Sequence, residues 1–285
     1  EEVAKKALTS AKLKPFDIDY IIAANIGGKR LYPLVGSYIH KKLKFNRETP
    51  VLNVQNWCAG FIDQINVAWS LILSGRYKRI LIVDVTTWAL EGWGIDQTGP
   101  LAKLFGDGAG AAIVSAENLL CEFLSYYNHT VGELYDHMVV ELMPHMTPEL
   151  KEKAGVKGTM GNYLIADNWF FEWQQAEGKE FAVEIIKGAL QEAKMTVSDL
   201  DMVIIHHAQD VIHNRWIEGG VDAGISKEKW KDENWNKYGN IGNVDIPANL
   251  VGFIENGQIQ KGSVIALFAP GLGGHTPCMI LKWLV

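Results

Sequence analysis

The chain has 285 residues, 48% of them hydrophobic, with 28 glycines, 9 prolines and 3 cysteines, enough to bury a large core in one domain or two closely packed halves. A net charge of −6 argues against nucleic acid or an anionic membrane as partner, and cysteines without CxxC spacing argue against a metal knuckle or a disulfide framework. No apolar run approaches the roughly 20 residues that cross a bilayer, so the expectation is a soluble cytoplasmic protein.

The chain opens on "EEVAKKALTSAKL", without Met and already in a helical pattern, which leads us to expect further sequence upstream. "KKALTSAKLKPFDIDYII", from Lys5, reads as an amphipathic helix, a polar turn and a short apolar strand. The basic run Lys41, Lys42, Lys44 and Arg47 reads as a solvated helix end. Next comes "NVQNWCAGFIDQINVAWSLILSG", in which Cys58 stands before a long amphipathic segment. A cysteine there meets unsatisfied backbone N–H groups and the positive end of a helix dipole, the setting of a nucleophile. Cys121 and Cys278 suit the commoner role of small core residues. The buried strand "RILIVDV" leads on to "LFGDGAGAAIV", residues 104 to 114. That run has no following Lys-Ser/Thr and opens no helix after a strand, so it is neither a phosphate loop nor a dinucleotide fingerprint. Its glycines predict closely packed backbones.

Residues 117–178 are rich in aromatic and polar side chains, and predict an insertion that is either a lid or pocket wall or an ordinary cap. After it the chain repeats itself. "KGALQEAKMTVSDLDMVI", from Lys187, lies without a gap on the segment from Lys5, an offset of 182 residues. The offset carries Gly60 onto Gly242, Asp63 onto Asp245, Gly75 onto Gly257 and Cys58 onto Asn240. Strands alternating with helices imply α/β layers, and two copies imply two similar halves about a pseudo-twofold axis. The expected division is 1–116 and 179–285, with 117–178 between them. Equivalent positions converge near such an axis, so Cys58 and Asn240 are expected to be neighbours, as are Ala24 and His206. His206 and His207 end the strand "DMVII", and strand C-termini are where α/β proteins place reactive groups. His207 is read as a core or surface residue, and His40, His129, His137, His145 and His213 as solvated. No metal-ligand spacing occurs, so no metal is expected. "APGLGGHTP", residues 269 to 277, ends the second half with amides able to approach a ligand oxygen, and His275 receives no role.

Five patterns in order resemble the thiolase superfamily, and within it condensing enzymes of the beta-ketoacyl-ACP synthase III type: "CAGF" at Cys58–Phe61, "FGDGAGAAIV" from Phe105, "HHA" from His206, "YGN" at Tyr238–Asn240, and the terminal Gly-rich loop with "ILKW". The resemblance implies a five-layered αβαβα sandwich of two similar halves, with Cys58 as acyl-accepting nucleophile and His206 and Asn240 as its His–Asn pair. The family histidine stands two residues before an alanine, which selects His206. Oxyanion donors fall on Cys58 and the loop Gly271, Leu272, Gly273 and Gly274. The implied chemistry is acyl loading on Cys58, then decarboxylative condensation with a malonyl thioester, with acyl-CoA and acyl carrier protein as partners, a homodimer, and no further cofactor. Tyr32 resembles the aromatic that reaches the partner's acyl pocket. Lys41, Lys42, Lys44 and Arg47 are candidates for a carrier-protein patch.

Departures surround the site. His207, Ala208 and Gln209 replace Gln-Ala-Asn after the histidine, Ile241-Gly242 replaces Thr-Ser, and Gln55, Asn56 and Trp57 replace small residues before the cysteine. They imply a substrate other than the acetyl primer, in specialised lipid or polyketide metabolism, with Trp57, Trp88 and Trp93 reshaping the pocket. Two other readings stay open: acyl transfer to an alcohol or amine without condensation, and a non-catalytic partner subunit.

Overall fold

Ala4 and Leu8 lie one helical turn apart, and their burial makes α1 (Glu2–Ser10) amphipathic. Lys12 then takes the left-handed conformation, φ 56°, and the chain turns through Pro15–Asp17 into β1 (Tyr20–Gly27). The second copy does the same. Helix α5 (Asn168–Glu192) ends, Lys194 takes φ 58°, and β8 (Met202–Ile205) follows. The caps repeat too: Asp17 accepts the Lys14 amide at 2.7 Å and Asp199 that of Thr196 at 2.8 Å. Asp19 accepts the Lys78 and Arg79 amides, and Asp201 that of Val264. These details come from a computed structural model that describes residues 1–28, 32–87, 104–142, 147–153 and 162–285.

The first half continues with α2 (Val35–Leu43), β2 (Val51–Asn53), α3 (Gly60–Leu73), β3 (Arg79–Thr87) and β4 (Asp107–Ser115). Its sheet runs β2-β1-β3-β4, the first three parallel and β4 antiparallel. Then come β5 (Cys121–Thr130), β6 (Met138–Leu142), α4 (Pro148–Lys153) and β7 (Asn162–Ala166). After α5 and β8 follow α6 (Asp210–Asp222), β9 (Trp230–Lys231), α7 (Trp235–Tyr238), α8 (Asp245–Glu255), β10 (Val264–Phe268) and β11 (His275–Trp283). The second sheet reads β9-β8-β10-β11 in the same directions, with β5 added antiparallel outside β11.

The period-2 alternation of the strands sorts residues between layers. Ile21 and Ala23 face α1 and α2, whereas Ile22 faces inward. In β8, Val203 and Ile205 face α5 and α6, whereas Met202 and Ile204 face inward. Between the sheets lie Phe61, Ile62 and Ile65 of α3 with Ile246 and Phe253 of α8. The order is helices, sheet, helices, sheet, helices, the predicted αβαβα sandwich. No helix among the described residues is long and apolar enough to cross a membrane.

One expected boundary is corrected. Residues 117–178 are not all insertion, because β5 belongs to the second sheet and α5 starts at Asn168. Ser125 Oγ donates to Ala189 O at 2.6 Å, joining strand and helix in the core. Comparing the halves could not reveal β5, which has no counterpart in the first sheet among the described residues.

Asp84, in the middle of β3, is fully buried, and burial raises its carboxyl to about 8 against the hydrogen bonds from Gln64 and Asn243 that pull it down. Between about pH 4 and pH 8 the folded chain therefore holds a proton that the unfolded chain has lost. Stability should fall as pH rises through that window, by about 1.4 kcal/mol per unit from this group. Urea midpoints should show the slope, and Asp84→Asn should remove that share of it.

Candidate active site

Cys58 sits in a 3-10 turn, Trp57–Ala59, that runs directly into α3. Trp57 precedes it at φ 49°, a left-handed conformation that a bulky residue holds only when its surroundings enforce it. Cys58 is half-buried, whereas Cys278 is fully buried. Burial raises the Cys121 thiol to about 11 and pushes the Cys278 thiol higher still, as suits inert core residues.

His206 follows β8, its amide tied to Phe268 O at 2.9 Å, and is 1% exposed. Its Nδ1 lies 2.9 Å from Asp245 Oδ2, and that oxygen also accepts the His207 amide at 2.9 Å. Nε2 is buried without a well-formed hydrogen bond, and Cys58 is close enough for its charge to act on the ring. Burial alone would lower the imidazolium's pKa. The charge of the Cys58 sulfur and the bond to Asp245 outweigh it and raise His206 to about 10.

Asn240 arrives on a loop laid along the start of β4. Its amide donates to Leu104 O at 2.6 Å and its carbonyl accepts from the Gly106 amide at 2.9 Å. The glycines make this possible. A Cβ on Gly106 would run into Tyr238 O, one on Gly108 would lie 3.1 Å from Val244 Cγ1, and one on Gly110 2.9 Å from Pro247 Cγ. The side chain is fixed as well: Oδ1 accepts the Gly242 amide at 2.9 Å and Nδ2 donates to Ala208 O at 3.3 Å. An amide nitrogen has a second N–H to offer. The turn Gly242–Val244 beyond Asn240 packs on the turn that holds Cys58, so the sequence-predicted Cys, His and Asn stand on adjoining elements.

The glycine loop packs against the cysteine turn. A Cβ on Gly271 would lie 2.8 Å from Asn56 O and 3.1 Å from Ala59 Cβ. The Gly271 amide donates to His275 O at 2.8 Å, so it is not free for the oxyanion role expected of it. His275, given no role from sequence, tethers the loop. Its Nε2 lies 3.2 Å from Asp63 Oδ1 and its Nδ1 3.1 Å from Thr130 Oγ1. Asp63 also accepts from Tyr126 OH at 2.6 Å and from Asn56 Nδ2 at 2.5 Å. Asp245 is the partner that sequence reasoning missed. The 182-residue offset puts Asp245 on Asp63, but the two helices start at Gly60 and Asp245, so the acids hold different positions in them.

His213, expected to be solvated, is only 5% exposed, and burial, then His207, pushes it down to about 4. His207 is 4% exposed, bonded to Asp232 through Nδ1 and to Asp210 through Nε2 at 3.0 Å. His207, His213 and Asp232 have the composition of a ligand set. An imidazole nitrogen, however, coordinates in the plane of its ring. The two rings are stacked, centroids 4.0 Å apart at 18°, and Trp235 lies 3.9 Å from the other face of His207, so both cannot aim at one ion. Tyr32 is 82% exposed and Trp57 half-buried, while Trp88 and Trp93 lie outside the described residues.

Residues 52–132 match the family described as 3-oxoacyl-[acyl-carrier-protein] synthase III, and residues 190–283 its C-terminal part. The beta-ketoacyl-[acyl-carrier-protein] synthase III of Synechocystis sp. is 30% identical over 99% of this chain and 82% of its own, and that of Staphylococcus haemolyticus 28% identical with the same coverage. Among solved structures, 3-oxoacyl-[acyl-carrier-protein] synthase III from Aquifex aeolicus superposes with TM-score 0.77 at 25% identity, covering 98% of this chain and 82% of that one. Xanthomonas campestris OleA, solved with lauric acid and lauroyl-CoA, superposes with TM-score 0.81 at 20% identity, covering 99% and 81%, a likeness of fold. With its two halves, its paired sheets and its Cys, His and Asn gathered between them, the chain belongs to the beta-ketoacyl-ACP synthase III family of thiolase-fold condensing transferases.

Proposed function

We propose that Cys58 accepts an acyl group from a thioester and that the enzyme condenses it with a malonyl thioester, releasing CO2 and a β-ketoacyl product. The observation that carries this is His206 held between Asp245 and Cys58, with Asn240 fixed on the adjoining loop. The Cys58 sulfur attacks the acyl carbonyl, and amides of Cys58 and of Leu272–Gly274 receive the oxyanion. Coenzyme A leaves as a thiolate and takes its proton from water, so His206 keeps both N–H groups. The malonyl thioester then places its carbonyl oxygen between His206 Nε2–H and Asn240 Nδ2–H. Loss of CO2 leaves an enolate stabilised by those donors, and its carbon attacks the acyl-Cys58 carbonyl and frees the sulfur.

The test is intact mass after incubation with a panel of acyl-CoA thioesters. Wild type should gain one acyl unit and Cys58→Ala none; an adduct that survives in the mutant would overturn the assignment. The best-loaded chain names the donor, which on the altered surroundings of Cys58 we place outside acetyl priming. Asp245 supports a second reading. A carboxylate on His206 Nδ1 is also the arrangement of a general base, suited to transferring the acyl group to an alcohol or amine. Turnover without CO2 release would favour it. A homodimer fits the exposed Tyr32, and a carrier-protein surface fits the exposed Lys41, Lys42, Lys44 and Arg47 around the end of α2.

A further inference from the structure

Asp84 is a buried acid with no part in the steps above. It pairs across the sheet with Ala24, the position that the repeat equates with His206. The inward alternation of Ile80 and Ile82 turns its side chain toward the middle helical layer. There one oxygen, Oδ1, accepts from Gln64 Nε2 at 2.8 Å and from Asn243 Nδ2 at 2.7 Å. Gln64 is on α3, a turn and a half beyond Cys58, and also reaches Val54 O at 3.3 Å. Asn243 stands between Asn240 and Asp245, its Oδ1 accepting from Thr86 Oγ1 at 2.8 Å. Asp84, Gln64 and Asn243 are each 0% exposed.

We propose that Asp84 is a positioning residue of the reaction, a neutral carboxyl group that sets the separation between the Cys58 helix and the segment that carries Asn240 and leads into α8 at Asp245. Two facts beyond the bonds themselves point this way. First, Asp84 Oδ2 and Gln64 Oε1 are both buried acceptors without a donor. An ionised Asp84 would leave both acceptors orphaned in the core, whereas one proton on its carboxyl adds a donor there. Second, the fold does not need a polar group at this station. Continuing the β8–β10 register by one residue puts Ala269 opposite His206, the place that Asp84 holds opposite Ala24, and Ala269 is buried among apolar side chains. The acid is found only in the half where it can bridge the two catalytic elements.

This inference rests on the condensation reading, and its experiment separates the two. Acylation by intact mass and malonyl decarboxylation by CO2 release are measured for wild type, Asp84→Leu and Asp84→Asn, each checked for folding by circular dichroism. Asp84→Leu keeps the branched shape at a somewhat larger volume and removes the bridge. Its acylation should stay within about threefold of wild type while its decarboxylation kcat falls about 10–100-fold with KM nearly unchanged, the scale of a misplacement of about an ångström. Asp84→Asn keeps an acceptor for both amides and should recover to within about threefold. Asn243→Ala cuts the same bridge from the loop side and should reproduce the split if Asp84→Leu does not fold. Wild-type decarboxylation in folded Asp84→Leu, or in Asn243→Ala, overturns the positioning role. Wild-type protein that neither acylates nor decarboxylates overturns the condensation reading itself.

Discussion

Asn240→Ala should load acyl groups on Cys58 at close to the wild-type rate and lose malonyl decarboxylation by about 10²–10³-fold, the usual consequence of removing one preorganised donor from a developing oxyanion. The asymmetry follows from what the side chain touches. Asn240 reaches the Gly242 amide and Ala208 O, and its remaining N–H is the donor assigned to the enolate. Acylation draws on the cysteine and the glycine loop instead. Truncation also leaves the buried Gly242 amide without its acceptor, a cost of about 1–3 kcal/mol that thermal unfolding should register. Asn240→Asp keeps an acceptor for Gly242 and removes the donor, so it should lose decarboxylation as severely. CO2 release at the wild-type rate from either variant would remove Asn240 from the mechanism.

Asp245→Asn should lower kcat by about 10²–10⁴-fold, the range spanned by loss of a positioned donor and by the same substitution in a Ser-His-Asp triad. An amide cannot serve all the neighbours of this carboxylate. Oδ2 receives both His206 Nδ1 and the His207 amide, and Oδ1 receives Asn249 Nδ2 at 3.3 Å. Whichever way the new amide turns, an N–H meets an N–H. Asn249 cannot turn to help, because its Oδ1 already accepts the Asn234 amide at 3.1 Å. The sign of the pH effect is also fixed. In the free enzyme the charge of the Cys58 sulfur and then Asp245 raise the His206 imidazolium against burial, and acylation removes the first of these, leaving Asp245 to hold the charge during decarboxylation. Without the carboxylate, burial lowers the imidazolium's pKa and the alkaline limb should move to lower pH. A pH–kcat profile that keeps its alkaline limb would show that Asp245 does not support the charge.

Much of this site is legible in the sequence because it is carried by local patterns. Cys58 before a helix, His206 at a strand end and Asn240 in a short turn motif each announce themselves within a few residues. The 182-residue offset then pairs Cys58 with Asn240, which is also how the αβαβα layers become readable. What stays hidden acts over distance or by burial. Asp245 is 39 residues from His206 and looks like any acid in a helix's first turn. His275 meets Asp63 across 212 residues. His213 reads as solvated from its polar neighbours but is buried by stacking on His207, which no one-dimensional pattern records. β5 has no copy in the first half to be recognised by.

Lys12 and Lys194 hold the same rare left-handed backbone, and Gly75 and Gly257 share φ 75° and 67°. Trp57 and Gly242 share it too, at φ 49° and 59°, each opening the turn that runs into a middle-layer helix, so conformation has outlasted residue identity between the halves. Two separate identical units would present the same residue at both stations, two sulfurs or two amides facing each other. Two units of different sequence, here joined in one chain, can instead place a sulfur at one station and an amide at the other. By conformation the matching stations are Cys58 and Asn243, each second in its turn, with Asn240 three residues before Asn243.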